Sequence, residues 1–345
     1  MKKIISILSG LFLFASLNTS AGDFLLNEYN VITIENFTSS GGTHVDGKVF
    51  VGGNFTGVEN VGSMVKHGNN IDVLTVAGTM QTATYVHNNN IILSAENHAL
   101  SVVGNDADDN TSINGITVNT KGNVEQSTDL ASIKADYKAQ LENSSAYFAS
   151  LKANSSLITK NNKEVLTVSN TLGANDIAVF SLDDATNIFN SSGNNISLSN
   201  SNKKNDLNGL EDLAAIIINV SGEKLSIAQN SNMNDIINNA NIRAKVIWNF
   251  YEATSIDLNS QKFAGTLLAP YATVTQTGGN IDGSVGVLSL ITSAEVHLST
   301  DVDVNIPTNI IKPPGSATEV PEPTTLMLMF IAIAGLIYKR KTLNV

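Results

Sequence analysis

Between residues 23 and 306, apolar side chains come in short alternating runs broken by Asn, Ser, Thr and Gly. Such runs occupy residues 30–34, 48–51, 72–76, 100–103, 116–118 and 164–168. They continue at 177–182, 215–220, 245–250, 265–269, 272–275 and 284–288. β-Branched residues at alternate positions, bounded by Gly, Asn or Asp, predict strands. Many short strands predict a mainly β body: a sandwich, a barrel or a solenoid. One stretch departs from the pattern. Leu130, Ile133, Tyr137, Leu141, Phe148 and Leu151 fall at helical spacing. They predict one long helix over about 129–153, with Ser127, Thr128 or Asp129 available to cap its start. Its single apolar stripe should lie along the flank of the β body.

Two short stretches choose among the β architectures. Residues 44–51 read HVDGKVFV and residues 280–287 read NIDGSVGV. Each follows a glycine pair, Gly41 with Gly42 and Gly278 with Gly279. The Asp-Gly step suits a turn, because Gly accepts positive φ and Asp bonds its own backbone. The Val-x-Val that follows sets two apolar groups on one face. The same turn-and-strand unit near both ends of the body suggests stacked, similar layers. A parallel β-helix, or solenoid-like body, is therefore the predicted fold.

The two ends read as addresses. MKKIISILSGLFLFASLNTSAG has a basic start, an apolar stretch over 4–17 and small residues at Thr19 and Ala21. This predicts a helical signal peptide over 1–21, cleaved after Ala21. Near the other end, the apolar helix predicted over 326–338 is shorter than the roughly 20 residues a span requires. Lys339, Arg340 and Lys341 would hold its far end in the cytoplasm. Pro307, Pro313, Pro314, Pro321 and Pro323 make the preceding stretch extended and unable to join a sheet. The organisation expected is a signal peptide at 1–21, a β body at 22–306, a Pro-rich linker at 307–320 and a terminal segment at 321–345.

Pro321, Glu322 and Pro323, followed by the apolar run and the basic cluster, resemble the PEP-CTERM sorting signal of Gram-negative bacteria that make extracellular polysaccharide. The resemblance implies that an exosortase cuts near the Pro-Glu-Pro triplet. The body would be anchored transiently in the inner membrane through the C-terminal helix, then placed at the cell surface or outside.

The whole chain carries a formal charge of −11. Setting aside Lys2, Lys3, Lys339, Arg340, Lys341 and Glu322 leaves 15 basic and 30 acidic groups in residues 22–320. Such a body repels a phosphate backbone, which argues against nucleic acid as a partner. Its single arginine, Arg243, leaves little scope for a guanidinium fork on anionic substrates. The chain has no cysteine, so disulfides, thiolate metal sites and cysteine nucleophiles are excluded.

Candidate chemistry is sparse. His44, His67, His87, His98 and His297 are scattered, with no HExxH-type pair, and no phosphate loop, GxGxxG or GxSxG opens a helix. No metal, cofactor or catalytic residue is expected. Asp106, Asp108 and Asp109 lie in one acidic loop but lack EF-hand spacing. Asp46 and Asp282 are explained as turn residues. Trp248 and Phe250 share a face by alternation, which places them in the core; Tyr251 follows them.

The body itself shows a resemblance. NEYNVITIENFTSSGGTHVDGKVFVGGNF (27–55), AAIIINVSG (214–222) and VIWNFYEATSIDLNSQKFAGTLLAPYATVTQTGGNIDGSVGVLSL (246–290) resemble the choice-of-anchor A domain, an extracellular domain coupled to varied surface-sorting tags. GTLLAPYATV (265–274) is also similar to strands of ice-binding-like β-solenoids, which pack a helix against the β-helix. The function expected is non-enzymatic: an exported surface or matrix protein using a rigid solenoid for adhesion or exopolysaccharide association. Two alternatives stand beside it. One is a polysaccharide-active β-helix enzyme, on fold analogy alone. The other is an ice-binding-like protein, for which Thr273 and Thr275 begin a row that does not persist through 283–288.

Overall fold

The computed structural model describes residues 24–299, apart from 66–70, 83, 87–89, 95–98, 104–109, 114–115, 121, 161–162, 183–188, 190–195, 201–205 and 228–232. The chain divides into one unit at Met1–Ile311 and another at Lys312–Val345. Ala21, the triplet Pro321, Glu322 and Pro323, the cluster Lys339, Arg340 and Lys341, the acidic residues Asp106, Asp108 and Asp109, and His67, His87 and His98 all lie outside the described residues.

Most of the β-branched runs form short parallel strands hydrogen-bonded to neighbouring layers. Ala99–Val103 and Ile116–Thr120 pair antiparallel with Asn110–Ile113, and Lys163–Thr167 pairs antiparallel with Ser156–Lys160. The ladder of inward side chains on the first face reads Phe180, Ile218, Trp248, Leu267, Val285, Val31, Val49, Leu74, Ile91 and Val124. All but the half-buried Val124 belong to the fully packed core. Adjacent layers lie about 4.8 Å apart in such a ladder. The body is thus mainly β with a parallel sheet, and a second, smaller sheet joins Ser156–Lys160, Lys163–Thr167 and Ser197–Ser199.

The order of layers is not the order of the chain. Val31–Thr33 lies between Val285–Thr292 and Val49–Val51, so the first layer of the sequence stacks on the last. From there the chain climbs through Val49–Val51, Asp72–Val76 and Asn90–Ser94 to Val124–Ser127. It restarts at the opposite end with Ile177–Leu182 and climbs back through Ala215–Val220, Val246–Asn249 and Thr266–Gln276. Nine layer steps separate the two ends of that ladder, about 43 Å. A helix at Leu130–Ser150, about 31 Å long by its 21 residues, spans most of this return.

That helix lies against the outer side of the first face. Leu141 and Phe148 are buried on it and pack with Ile32, Phe50, Ile217, Ile247 and Leu268 from five different layers. Ile133, Tyr137 and Leu151 add half-buried apolar area along the same stripe. The helix also satisfies two asparagines that the stripe covers. Asn249 accepts from the Ser145 hydroxyl at 2.6 Å and donates to the Ser145 carbonyl at 2.9 Å. It also donates to Asn219 at 2.8 Å, and Asn219 donates to the Phe148 carbonyl at 2.7 Å.

Trp248 and Phe250 are buried in the core, where Phe189 and Phe263 both stand 5.9 Å from the Trp248 ring. The indole N–H donates to the Ala264 carbonyl at 3.0 Å. Tyr251 is half-exposed.

The two repeated turns are built differently from their sequence reading. Positive φ is taken by the glycines before the Asp-Gly step: Gly41 at 111°, Gly42 at 72° and Gly279 at 69°. Of the two Asp-Gly glycines, Gly283 is also at positive φ, 159°, whereas Gly47 is not, and both supply room. A Cβ on Gly47 would sit 2.7 Å from the Asn30 Cβ, and one on Gly283 would sit 2.1 Å from the Gly265 carbonyl oxygen.

Candidate functional site: an uncovered face and a histidine–carboxylate corner

The second face of the solenoid buries Leu225, Ile256, Val274, Leu290, Phe37 and Phe55 in one inward column. Alternation then turns their neighbours outward. One outward column reads Ser226, Asp257, Thr275, Ile291, Thr38 and Thr56; beside it runs Lys224, Ser255, Thr273 and Ser289. All of these side chains are half-buried or exposed. Short hydroxyl side chains dominate, and their register keeps them at the layer repeat. Tyr271 and Ile291 are the apolar exceptions, 43% and 45% exposed. The Thr273 and Thr275 row therefore does not have to continue through 283–288. Its next layer is Ser289 with Ile291, and the one after it, Thr38, comes from the other end of the sequence.

The third face carries the corner. Its inward column is Phe263, Ile281, Val296, Val45, Val61 and Val86. Val45 and Ile281 flank Val296, so the HVDG and NIDG turns lie one layer to either side of the segment Glu295, Val296 and His297. That register lines up Asp282 with His297 and sets Asp46 beside them. His44 and Glu295 fall on the other side of the apolar column.

The resulting cluster alternates rings and carboxylates. His297 Nδ1 is 3.0 Å from Asp282 Oδ1, and its Nε2 is 3.1 Å from Glu295 Oε2. His44 Nδ1 is 3.2 Å from Glu295 Oε1, and its Nε2 is 3.7 Å from Asp46 Oδ1. The two rings lie 5.3 Å apart, inclined at 34°. Asp46 is fixed by the Ser63 hydroxyl at 2.7 Å and by the Leu298 backbone N–H at 3.3 Å. One potential ligand atom from each of His44, Glu295 and His297 can be chosen so that all lie within 4.8 Å of one another.

Sequence reading singles out Asp46 and Asp282 as turn residues and treats the histidines as scattered. The structure brings both aspartates and two of the five histidines to one corner. The available signal was the third tripeptide: Glu295, Val296 and His297 carry the same polar-apolar-polar pattern as His44, Val45 and Asp46, but without the glycine. Arg243 serves the body itself, donating from Nε to the Ser299 carbonyl at 2.9 Å. Among the described residues, no helix is long and apolar enough to cross a membrane.

Comparison with known proteins finds two family models on the chain. The family model of the ice-binding-like adhesive domain matches residues 24–298. The PEP-CTERM protein-sorting motif matches residues 319–341 and marks the chain for export and exosortase processing. Among solved structures, an ice-binding protein from the Antarctic ascomycete Antarctomyces psychrotrophicus is similar at 12% identity, covering 80% of this chain and 96% of that one, with a TM-score of 0.30. The DUF3494 domain of Shewanella frigidimarina ice-binding protein 1 is similar at 9% identity, covering 80% and 95%, also with a TM-score of 0.30. No curated protein matches.

Proposed function

Because this chain belongs to the ice-binding-like adhesive domain family, we propose that it is a non-catalytic adhesive protein whose uncovered second face holds extracellular polysaccharide. The supporting observation is the pair of outward columns, in which Ser255, Thr273, Thr275, Ser289, Thr38 and Thr56 repeat at layer spacing beside exposed Tyr271. Regularly spaced hydroxyls can exchange hydrogen bonds with sugar hydroxyls, and an aromatic face can stack on a sugar ring. The acidic body favours a neutral or amino-sugar polymer over a polyanion. Exosortase processing would deliver the face outside the inner membrane, after transient anchoring through the C-terminal helix.

Retention on the cell's own immobilised exopolysaccharide tests the proposal. The wild type should be retained. The Thr38→Arg/Thr275→Arg variant, which places long charged side chains across one column, should lose at least about tenfold in retention. Equal retention of the two proteins would remove the second face from the reading.

Ice binding remains a second reading because of the same hydroxyl columns. Asp257 and Ile291 interrupt the Thr column, so no thermal hysteresis is expected from the purified protein. A clear hysteresis gap would favour ice over polysaccharide.

A further inference from the structure

We propose that His44, Glu295 and His297 bind one divalent transition-metal ion of the zinc type, with Asp46 and Asp282 positioning the two imidazoles.

The first argument is a mismatch of donors and acceptors. A neutral imidazole carries one N–H and one lone pair, whereas a carboxylate only accepts. His297 faces carboxylate oxygens at hydrogen-bond distance on both ring nitrogens, Asp282 at 3.0 Å and Glu295 at 3.1 Å. His44 stands at ion-pair distance from Glu295, 3.2 Å, and from Asp46, 3.7 Å, without hydrogen-bond geometry to either. With the His297 N–H given to Asp282, the Nε2 lone pair faces Glu295 Oε2, and His44 Nδ1 lies beside the other oxygen of the same carboxylate. A cation between them converts that repulsion into coordination.

The arrangement also has the form a metal site requires. Zinc takes imidazole nitrogen and carboxylate oxygen at about 2.0–2.2 Å in a tetrahedron, so ligand atoms in one shell lie about 3.4 Å from each other. The three candidate ligand atoms are within 4.8 Å, and closing the difference needs side-chain shifts of about 1–1.5 Å. Asp282 on the outer nitrogen of His297 is the usual way such a ring is oriented toward its metal, and Asp46, 3.7 Å from the outer nitrogen of His44, takes the corresponding place after a small shift. The ligand side chains are 29–36% exposed, leaving a fourth position to water and an open route for entry. In the neutral-ring form that a metal binds, the three carboxylates carry a formal −3, which a dication offsets. Two imidazoles in the set favour zinc, nickel or copper over calcium.

The place in the fold gives the site a role. His44 belongs to the first layers of the chain, and Glu295 and His297 to the last. An ion there would clip together the joint at which the two ends of the sequence stack, in a chain with no cysteine to form a covalent clip.

Zinc chloride titrated into chelator-stripped full-length protein near neutral pH tests this, read by calorimetry, metal analysis and thermal melting. One zinc per chain is expected, raising the melting temperature by about 5–10 °C at a hundredfold excess over Kd. Calcium at the same concentration should leave the melting temperature unchanged. The D46N/D282N variant should keep one site with affinity weakened about 10–100-fold. H44Q and H297Q, each checked for wild-type circular dichroism, should abolish stoichiometric uptake. Absence of stoichiometric binding, uptake that survives both substitutions, or equal stabilisation by calcium would overturn the assignment.

Discussion

Asn249 shows how one polar residue can be required in a β core. It connects the helix at Ser145 with the neighbouring layer at Asn219, and both partners are buried. Asn249→Ala should cost about 1–3 kcal/mol, because Asn219 and Ser145 lose partners they cannot replace with water; urea unfolding measures it. Gly283→Ala should cost about 2 kcal/mol or more, since its new methyl meets the Gly265 backbone rather than a movable side chain. Tyr29 adds a pH dependence. Burial foremost, and then the Tyr137 hydroxyl at 3.1 Å, hold its phenol well above the usual range. The folded state therefore keeps a proton that the unfolded chain releases near pH 10. Stability from this group is complete below about pH 10 and declines as pH rises beyond it. Between pH 9 and 11 the wild type should lose more urea resistance than Tyr29→Phe. At this scale the sequence is uneven to read. Trp248 and Phe250 are legible as core from alternation alone. The corner is only half legible, since the repeat that marks Asp46 and Asp282 ends in His297 on a layer with no glycine to flag it.

Among the elements, the strands are legible where β-branched residues alternate, as at Asp72–Val76 and Ala215–Val220. Ser255–Asn259 and Phe37–Val45 are missed, because Ser, Asp, Gly and Asn occupy their outward positions and the apolar signal is diluted. Their strand state is set by neighbours in the stack rather than by their own propensity. Thr266–Gln276 reads as two strands, yet it forms one that bends round a corner through Pro270 and exposed Tyr271. The long stripe from Leu130 to Leu151 marks a helix whose burial comes from five layers at once. Leu141→Ala and Phe148→Ala should each cost about 2–5 kcal/mol in urea unfolding. Equal loss is not required, but a negligible effect from both would mean that the helix does not seal the first face.

For the whole molecule, stacked parallel layers follow from repeated turn-and-strand units, but the order of the stack does not. The junction of Val31–Thr33 with Val285–Thr292 joins residues about 250 positions apart, and no local pattern encodes such a pairing. The junction has two consequences. It extends the outward Thr column from Thr275 through Ile291 to Thr38 and Thr56, making one surface from both ends of the chain. It also assembles the histidine corner. Export adds the final condition, because the proposed contact with the matrix requires the sorting segment to deliver the face first. Fractionating cells into cytosol, envelope, matrix and medium, with the C-terminus identified by mass spectrometry, tests delivery and adhesion together. Wild-type protein should be found trimmed near Pro321, Glu322 and Pro323 and held in the matrix. A variant with the triplet replaced by alanines should stay untrimmed in the envelope, and Thr38→Arg/Thr275→Arg should be trimmed normally but released to the medium. Untrimmed wild-type protein in the cytosol, or a face variant held in the matrix as firmly as wild type, would contradict an exported protein that adheres through its second face.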